Sequence, residues 1–258
     1  MRRRKMAYGL AMAAMLCAAV SCAPDRAPTR AEQFAALPDW SGIWTSDATE
    51  IDISGYPAAG MGGMGLKLIG GKAPIKPELQ AKMAAQLAAA MAADARRKAE
   101  GWGYPLMMEG VAPMQFLVTP EETLILNFYR DIRHVYTDGR QHLPEEDRWP
   151  VPWGDSMGHW EGDTLVIDTV SVQLDAIFHT LLLPLTEDAH FIERIRRTGP
   201  DHMEVEMRIE DPAVLSAPWV VNFSYHKAKG LDRLIHNVFE NDRSVVEGDS
   251  LTIAPPKD

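Results

Sequence analysis

Cysteine is nearly absent from the sequence. The 258 residues include only Cys17 and Cys22, both near the start of the chain. The rest of the chain has no thiol, which excludes a disulfide, a cysteine-ligated metal site or a thiolate nucleophile there. Long apolar runs are missing as well, since the run over residues 7–20 is too short to span a bilayer. The folded part must therefore be stabilised by its core.

Positive charge is also scarce. The sequence has 26 basic and 36 acidic residues, and four of the basic ones lie within residues 2–5. Residues 22–258 therefore carry 22 basic against 36 acidic residues, a net charge of −14. Such a surface repels phosphate backbones and anionic lipid. We expect no nucleic-acid partner and no basic helix lying on a membrane surface.

The N-terminus has the pattern of an export signal. Basic residues within positions 1–6 precede the apolar run, and residues 19–22 (AVSC) resemble a bacterial lipobox in which Cys22 is acylated. Ordinary cleavage near Ala23 is the alternative. Both place the protein in the periplasm, and acylation would hold it at the inner face of the outer membrane, with the lipid as its membrane contact. We predict an export signal over 1–21, a lipid-anchored tether over 22–38 and one β-rich domain over 39–258.

Two features precede the predicted strands. Gly60, Gly62 and Gly65 match the dinucleotide-binding pattern G-x-G-x-x-G, but no helix start follows them, so we interpret this stretch as a loop. Proline at position 77 then favours the start of a helix that extends to about residue 99. Its apolar residues recur every four positions, as in a helix packed on a sheet: Leu79, Met83, Leu87 and Met91.

From Met114 onward the apolar pattern has a period of two, and turn residues recur regularly. With a single strong helix, an antiparallel meander that closes into a lipocalin-like, up-and-down β-barrel would bury the apolar faces, and a two-sheet sandwich is the alternative. A barrel of this size could hold a small ligand in its mouth. A short aromatic strand is expected near residues 40–44. Further strands are predicted near 114–119, 123–129, 132–137, 156–160, 164–172, 189–197, 203–210, 218–226 and 234–240.

Charge and apolar matching set the register of the later predicted hairpin. A turn at residues 199–201 places Arg194 opposite Glu206 and Glu193 opposite Met207. Glu193 then faces the apolar side, where a carboxylate needs a positive partner or a raised pKa. It is a candidate general acid or ligand anchor, and a structural ion pair is the alternative.

The earlier hairpin suggests an acid–base pair. A two-residue turn at Gly162 and Asp163 pairs His159 with Val166, and it places Asp168 diagonally across from His159 on the same face. A histidine beside an aspartate is the arrangement of a general base and the residue that orients it. We predict His159 and Asp168 as catalytic residues.

A third polar cluster follows the strand near 132–137. Asp138 and Gly139 are typical of a turn, and Arg140 and His142 follow with a spacing that places both over one strand end. An arginine beside a histidine could bind and protonate an anionic or carbonyl oxygen. We predict His142 as catalytic, and Tyr136, Asp138 and Arg140 as substrate-binding. A metal site built from His142, His159 and His190 is disfavoured, because tight histidine spacing is lacking.

Several segments resemble a family of exported, β-rich bacterial proteins without a settled activity. They are residues 136–142 (YTDGRQH), 154–169 (GDSMGHWEGDTLVIDT), 190–194 (HFIER) and 210–212 (EDP), together with 218–219 (PW). The resemblance implies an exported β-rich domain and no particular reaction. We also predict His190 and Arg194 as substrate-binding residues. The chain departs from the family at Leu185-Thr186, where a His-Ser pair is common.

Two functions fit these features. The first is a periplasmic enzyme that performs cofactor-free acid–base chemistry, as a lyase, isomerase or hydrolase, on an apolar or aromatic small molecule. The second is a non-catalytic, lipid-anchored barrel that binds such a molecule. A weaker third possibility is an envelope scaffold. Ser156 has no nucleophile-elbow context, and we find no sequence signature of haem, flavin or pyridoxal phosphate.

Overall fold

The computed structural model describes residues 26–47, 73–79, 103–109, 113–128, 131–174, 185–234, 244–247 and 250–253. The predicted export signal and the glycine-rich loop lie outside these residues. So do most of the helix predicted over 77–99, of which residues 77–79 are described and helical, and nearly all of the strand predicted over 234–240.

Nine strands form a closed barrel in which β9 pairs with β1, which confirms the prediction of a mainly β barrel. Each strand pairs with its neighbours in chain order. A separate hairpin of β10 (Ser244–Glu247) and β11 (Ser250–Ile253) was not predicted. The barrel strands are β1 (Trp44–Ser46), β2 (Met114–Val118), β3 (Glu122–Asn127), β4 (Ile132–Tyr136), β5 (Asp155–Glu161), β6 (Thr164–Val170), β7 (His190–Gly199), β8 (His202–Glu210) and β9 (Trp219–Lys227).

One strand pair differs from the predicted antiparallel meander. β4 and β5 run parallel and pair through Tyr136 and Met157, so the barrel is mixed. The reason is the long connection over residues 137–154, which returns to the end of the barrel where β4 began. Parallel neighbours need a connection of about a dozen residues or more, and this one is long enough.

Both predicted hairpin registers are confirmed. In β5 and β6, His159 pairs with Val166 and Met157 pairs with Asp168. In β7 and β8, Glu193 pairs with Met207, and Arg194 pairs with Glu206. Because side chains alternate between the faces of a strand, these registers place Glu193 inside the barrel and Asp168 outside it.

The barrel interior is packed with side chains. We call the end where β5 and β7 begin the near end, and the end with the β5–β6 turn the far end. Residues 103–109, the near-end segment, contain helix α2 (Leu106–Glu109). Tyr104, Met107 and Met108 of this segment are fully buried. The Tyr104 ring packs edge-on against Phe191 of β7 with ring centroids 5.0 Å apart, so the segment closes the near end.

The far end is closed by Trp40, which lies just before β1. Its ring packs edge-on against Phe116 of β2 and Trp160 of β5, with centroids 5.5 and 5.1 Å away. Trp160 thus packs against the core. Helix α1 (Arg30–Ala35) lies within the predicted tether, begins with a capping box at Thr29 and Glu32, and contains no buried residue.

Candidate acid–base site

Four polar side chains meet on the outer surface near the near end of the barrel. Asp155 begins β5, Asp168 lies on β6 and His190 begins β7. Strand β6 buries Leu165, Ile167 and Thr169, so the alternation turns Asp168 outward. The connection after β4 brings the fourth residue, His142, onto this surface. The parallel pairing of β4 and β5 is therefore what completes the cluster.

The four side chains form a continuous chain of hydrogen-bonded contacts. His142 Nδ1 lies 2.8 Å from an oxygen of Asp155, and His142 Nε2 lies 3.1 Å from Oδ1 of Asp168. His190 Nε2 lies 2.8 Å from the same Asp168 oxygen. Carboxylates only accept hydrogen bonds, so His142 satisfies both of its contacts when both ring nitrogens carry a proton.

The contacts shift the proton affinities of two of these groups. Partial burial acts to raise the pKa of Asp168, but hydrogen bonds and charge from His190 and His142 outweigh it, so the pKa is lowered. The hydrogen bond to Asp168 raises the pKa of His190 against its own partial burial, and the Asp168 and Glu210 charges act in the same direction. The two groups thus favour an imidazolium–carboxylate pair.

His190 is partly exposed. Its side chain is 33% exposed, and its hydrogen bond among the described residues is made by Nε2. The Asp168 carboxylate on the Nε2 side of the ring fixes the orientation of the imidazole. A histidine held in this way can serve as a general acid or base.

The structure gives His159 a different partner from the predicted one. His159 shares the outer face with Asp168, but it is 65% exposed and lies 3.3 Å from Glu161. Asp168 instead bonds to the two other histidines, because His142 arrives from the connection and His190 lies on the adjacent strand. The predicted pair of His159 and Asp168 is therefore corrected to His190 and Asp168.

The predicted cluster of Arg140 and His142 also divides. Arg140 forms an ion pair with Asp138 through three contacts of 2.6 to 3.1 Å, and its guanidinium lies 4.1 Å from the Tyr136 ring centroid. The hydrogen bonds from Arg140 lower the pKa of Asp138 to about 2. These three residues bind one another within the turn, away from the contacts of His142. Arg194 is likewise paired with Glu161, at 2.7 Å.

Glu193 lies inside the barrel in an ion pair with Arg133 of β4, and both side chains are 0% exposed. Arg133 also donates to Ser156 Oγ at 3.1 Å and to Thr169 Oγ1 at 2.8 Å. The Tyr104 ring lies 4.0 Å from the guanidinium carbon. Although burial opposes the charged form, the Glu193 carboxylate and the neighbouring tyrosines raise the pKa of Arg133.

Sequence reasoning missed two residues that the structure places in these polar contacts. Asp155 gave no signal of its own, because its role depends on the connection that delivers His142. Arg133 had a usable signal, since alternation places it on the same face of β4 as the apolar Val135. An arginine on the apolar face of a strand requires a buried acidic partner, and Glu193 is the one found.

The fold and the site define a mainly β protein with a closed, mixed nine-stranded barrel and a histidine–aspartate cluster on its outer surface. A comparison of the chain with family models, curated proteins and solved structures finds no match. Within the described ranges, no group of three His, Cys, Asp or Glu side chains is arranged to hold a metal ion. None of the helices in that part of the chain is long and apolar enough to cross a membrane.

Proposed function

We propose that this protein is a periplasmic enzyme that performs cofactor-free acid–base chemistry on a small molecule, as a lyase, isomerase or hydrolase. The observation that carries the proposal is the contact of His190 Nε2 with Asp168 at 2.8 Å, in a histidine whose side chain is 33% exposed. His190 is the proton-transfer residue. Asp168 orients it, and His142 and Asp155 hold Asp168 in place.

The packed interior favours a site on the outer surface, because it leaves little room for a substrate inside the barrel. The inward-facing side chains of β6 and β7 are buried, and both ends are closed by aromatic side chains, Tyr104 and Trp40. We therefore assign Glu193 to the structural ion pair with Arg133, which was the alternative to a catalytic role. The substrate is proposed to be an apolar or aromatic small molecule that binds on the surface around His190.

The test follows turnover with the full-length protein, extracted in detergent and added in trace amounts to a small-molecule extract of its host. Mass spectrometry measures every compound over time for the wild type, for His190→Gln and for the matched control His159→Gln. His159 is an exposed histidine on β5, two strands away from His190 on β7, and within the described part of the chain it has no hydrogen bond to the cluster. We expect the wild type and the His159→Gln control each to consume one compound in many-fold molar excess over the protein added. The same compound should persist with His190→Gln.

Two results would contradict the proposal. If compounds are depleted only to the molar amount of protein added, the protein is a binding module and His190 has no catalytic role. If His190→Gln consumes the compound as fast as the wild type does, the protein is an enzyme but its reacting groups lie elsewhere.

A further inference from the structure

The buried ion pair of Arg133 and Glu193 is incompletely hydrogen-bonded. Nη2 of Arg133 donates to Glu193 Oε2 and to Thr169, and Nε donates to Ser156. Nη1 of Arg133 and Oε1 of Glu193 are both buried, and neither has a hydrogen-bond partner among the described residues. One donor group and one acceptor of the same ion pair are therefore left open inside a closed barrel.

Leaving such atoms unpaired is unfavourable. A buried polar atom without a partner loses its hydrogen bonds to water and gains none in return, and the loss is larger when the group is charged. For this reason buried polar atoms almost always have a partner, often an ordered water molecule. Tyr104 does not supply one to Nη1, because its ring faces the guanidinium, whose N–H bonds lie in the guanidinium plane. The two open atoms indicate a bound molecule beside the ion pair.

The chemistry of the two atoms defines this molecule. It must accept a hydrogen bond from Arg133 Nη1 and donate one to Glu193 Oε1. It must be neutral, because the charges of the ion pair already cancel and an additional buried charge would be costly. We propose that the barrel interior binds one small neutral molecule through a hydroxyl group, either as a water molecule or as a small alcohol, between Arg133 Nη1 and Glu193 Oε1.

The surroundings support one small guest. The two atoms belong to the two partners of one ion pair, which Nη2 and Oε2 join, so both lie at the same place in the core. Tyr104, Met107 and Met108 close the near end above the ion pair. The guest therefore has no open path to solvent past these residues and should exchange slowly. This inference does not depend on the proposed enzyme activity, because the outer cluster and the interior pair share no contact in the structure.

A crystal structure of the full-length protein at high resolution tests the proposal. We expect an ordered non-protein oxygen within about 3.2 Å of both atoms, the usual range of a hydrogen bond. Mass spectrometry of the unfolded protein distinguishes the two sources, since an alcohol would be released at one molecule per chain and water would leave no organic compound. An empty site, or protein groups bonded to both atoms, would overturn the proposal.

Two variants serve as controls. Thr169→Val removes a hydroxyl that bonds Nη2 only, so the guest should remain. The double variant Arg133→Met/Glu193→Met removes both atoms that hold the guest, so the oxygen should be absent. If it persists there, the ion pair does not bind it and the proposal is wrong. Should either variant fail to fold, the wild-type structure alone still decides the question.

Discussion

At the scale of single residues, two carboxylates on neighbouring strands have opposite environments. Asp168 on β6 faces solvent and bonds to two imidazoles, whereas Glu193 on β7 faces the interior and bonds to a guanidinium. The difference follows from strand alternation, because Asp168 pairs with Ile192 and Glu193 pairs with Ile167. The side of the strand therefore decides that Asp168 belongs to the outer polar cluster and Glu193 to the core.

Breaking the interior ion pair should destabilise the protein strongly. Arg133→Met leaves the Glu193 charge buried and unpaired, so we expect the free energy of unfolding to fall by about 3–5 kcal/mol. Urea denaturation measures it. The double variant Arg133→Met/Glu193→Met should recover most of the loss, because buried ion pairs are often no more stable than apolar replacements. A double variant as unstable as the single one would contradict this account.

The pair of His190 and Asp168 should stabilise the fold in a defined pH range. The raised pKa of His190 gives a contribution that is complete below about pH 6.5, the ordinary histidine value, and is lost as the pH rises through the raised value. The lowered pKa of Asp168 gives a second contribution to stability. It is complete above about pH 3.9, the ordinary aspartate value, and is lost as the pH falls through the lowered value.

Both contributions are therefore present together between about pH 4 and pH 6.5. The difference in melting temperature between the wild type and His190→Gln should be largest in this range and should narrow toward pH 9. Thermal melts at half-unit intervals of pH measure it, with His159→Gln as the control for loss of a surface histidine. If the difference in melting temperature grows above pH 7, the pair does not stabilise the fold through a protonated His190.

At the scale of elements, the near-end segment depends on one buried carboxylate. Asp131, just before β4, accepts hydrogen bonds from Gly103 N at 2.9 Å, Trp153 Nε1 at 2.8 Å and Asn127 Nδ2 at 2.7 Å. These bonds join the segment to the ends of β3 and β4 and to the connection before β5. Asp131 thus fixes the residues that close the near end.

Asp131→Asn should loosen that segment. The substitution replaces one carboxylate oxygen by an amide nitrogen that donates, and it therefore opposes one of the three donors. We expect the free energy of unfolding to fall by about 1–3 kcal/mol. Hydrogen exchange should become faster in residues 103–109 and change little in β7 and β8. Hydrogen exchange read by mass spectrometry checks this, with the exposed turn variant Asp163→Asn as control. Unchanged exchange in residues 103–109 would show that Asp131 does not hold the segment.

At the scale of the whole molecule, the proposed lipid anchor decides where the protein resides. On the proposed interpretation, the lipobox-like residues 19–22 make Cys22 the acylated residue, and the net charge of −14 over residues 22–258 disfavours attachment to anionic lipid by charge alone. Membrane attachment should then depend on a single thiol.

Cys22→Ser should release the protein from the membrane fraction. A bacterium that expresses the full chain should incorporate labelled palmitate into the wild type and not into the variant, and cell fractionation should recover the wild type with membranes. Cys17→Ser is the matched control, because Cys17 lies inside the apolar run of the predicted signal. Labelling of the Cys22→Ser variant would exclude acylation at this residue.

The mainly β fold, most strand positions and the registers of the β5–β6 and β7–β8 hairpins could be predicted from the sequence. These features depend on alternation and on turns within a few residues, so the information is local. The inward direction of Glu193 followed from the same local register. The hydrogen-bond partners of the polar side chains could not be predicted in the same way. A register relates a residue only to residues on the neighbouring strand.

The hydrogen-bond and ion-pair partners of these side chains depend on the tertiary structure. Arg133 and Glu193 are 60 positions apart, and His142 and Asp168 are 26 apart. Barrel closure brings the first pair together, and the parallel pairing of β4 and β5 brings His142 to the second. Such contacts depend on how the chain returns to the barrel. The spacing of residues in the sequence does not predict that path. The physical reason is that long-range contacts are selected by the packing of the whole barrel and by no single turn or strand.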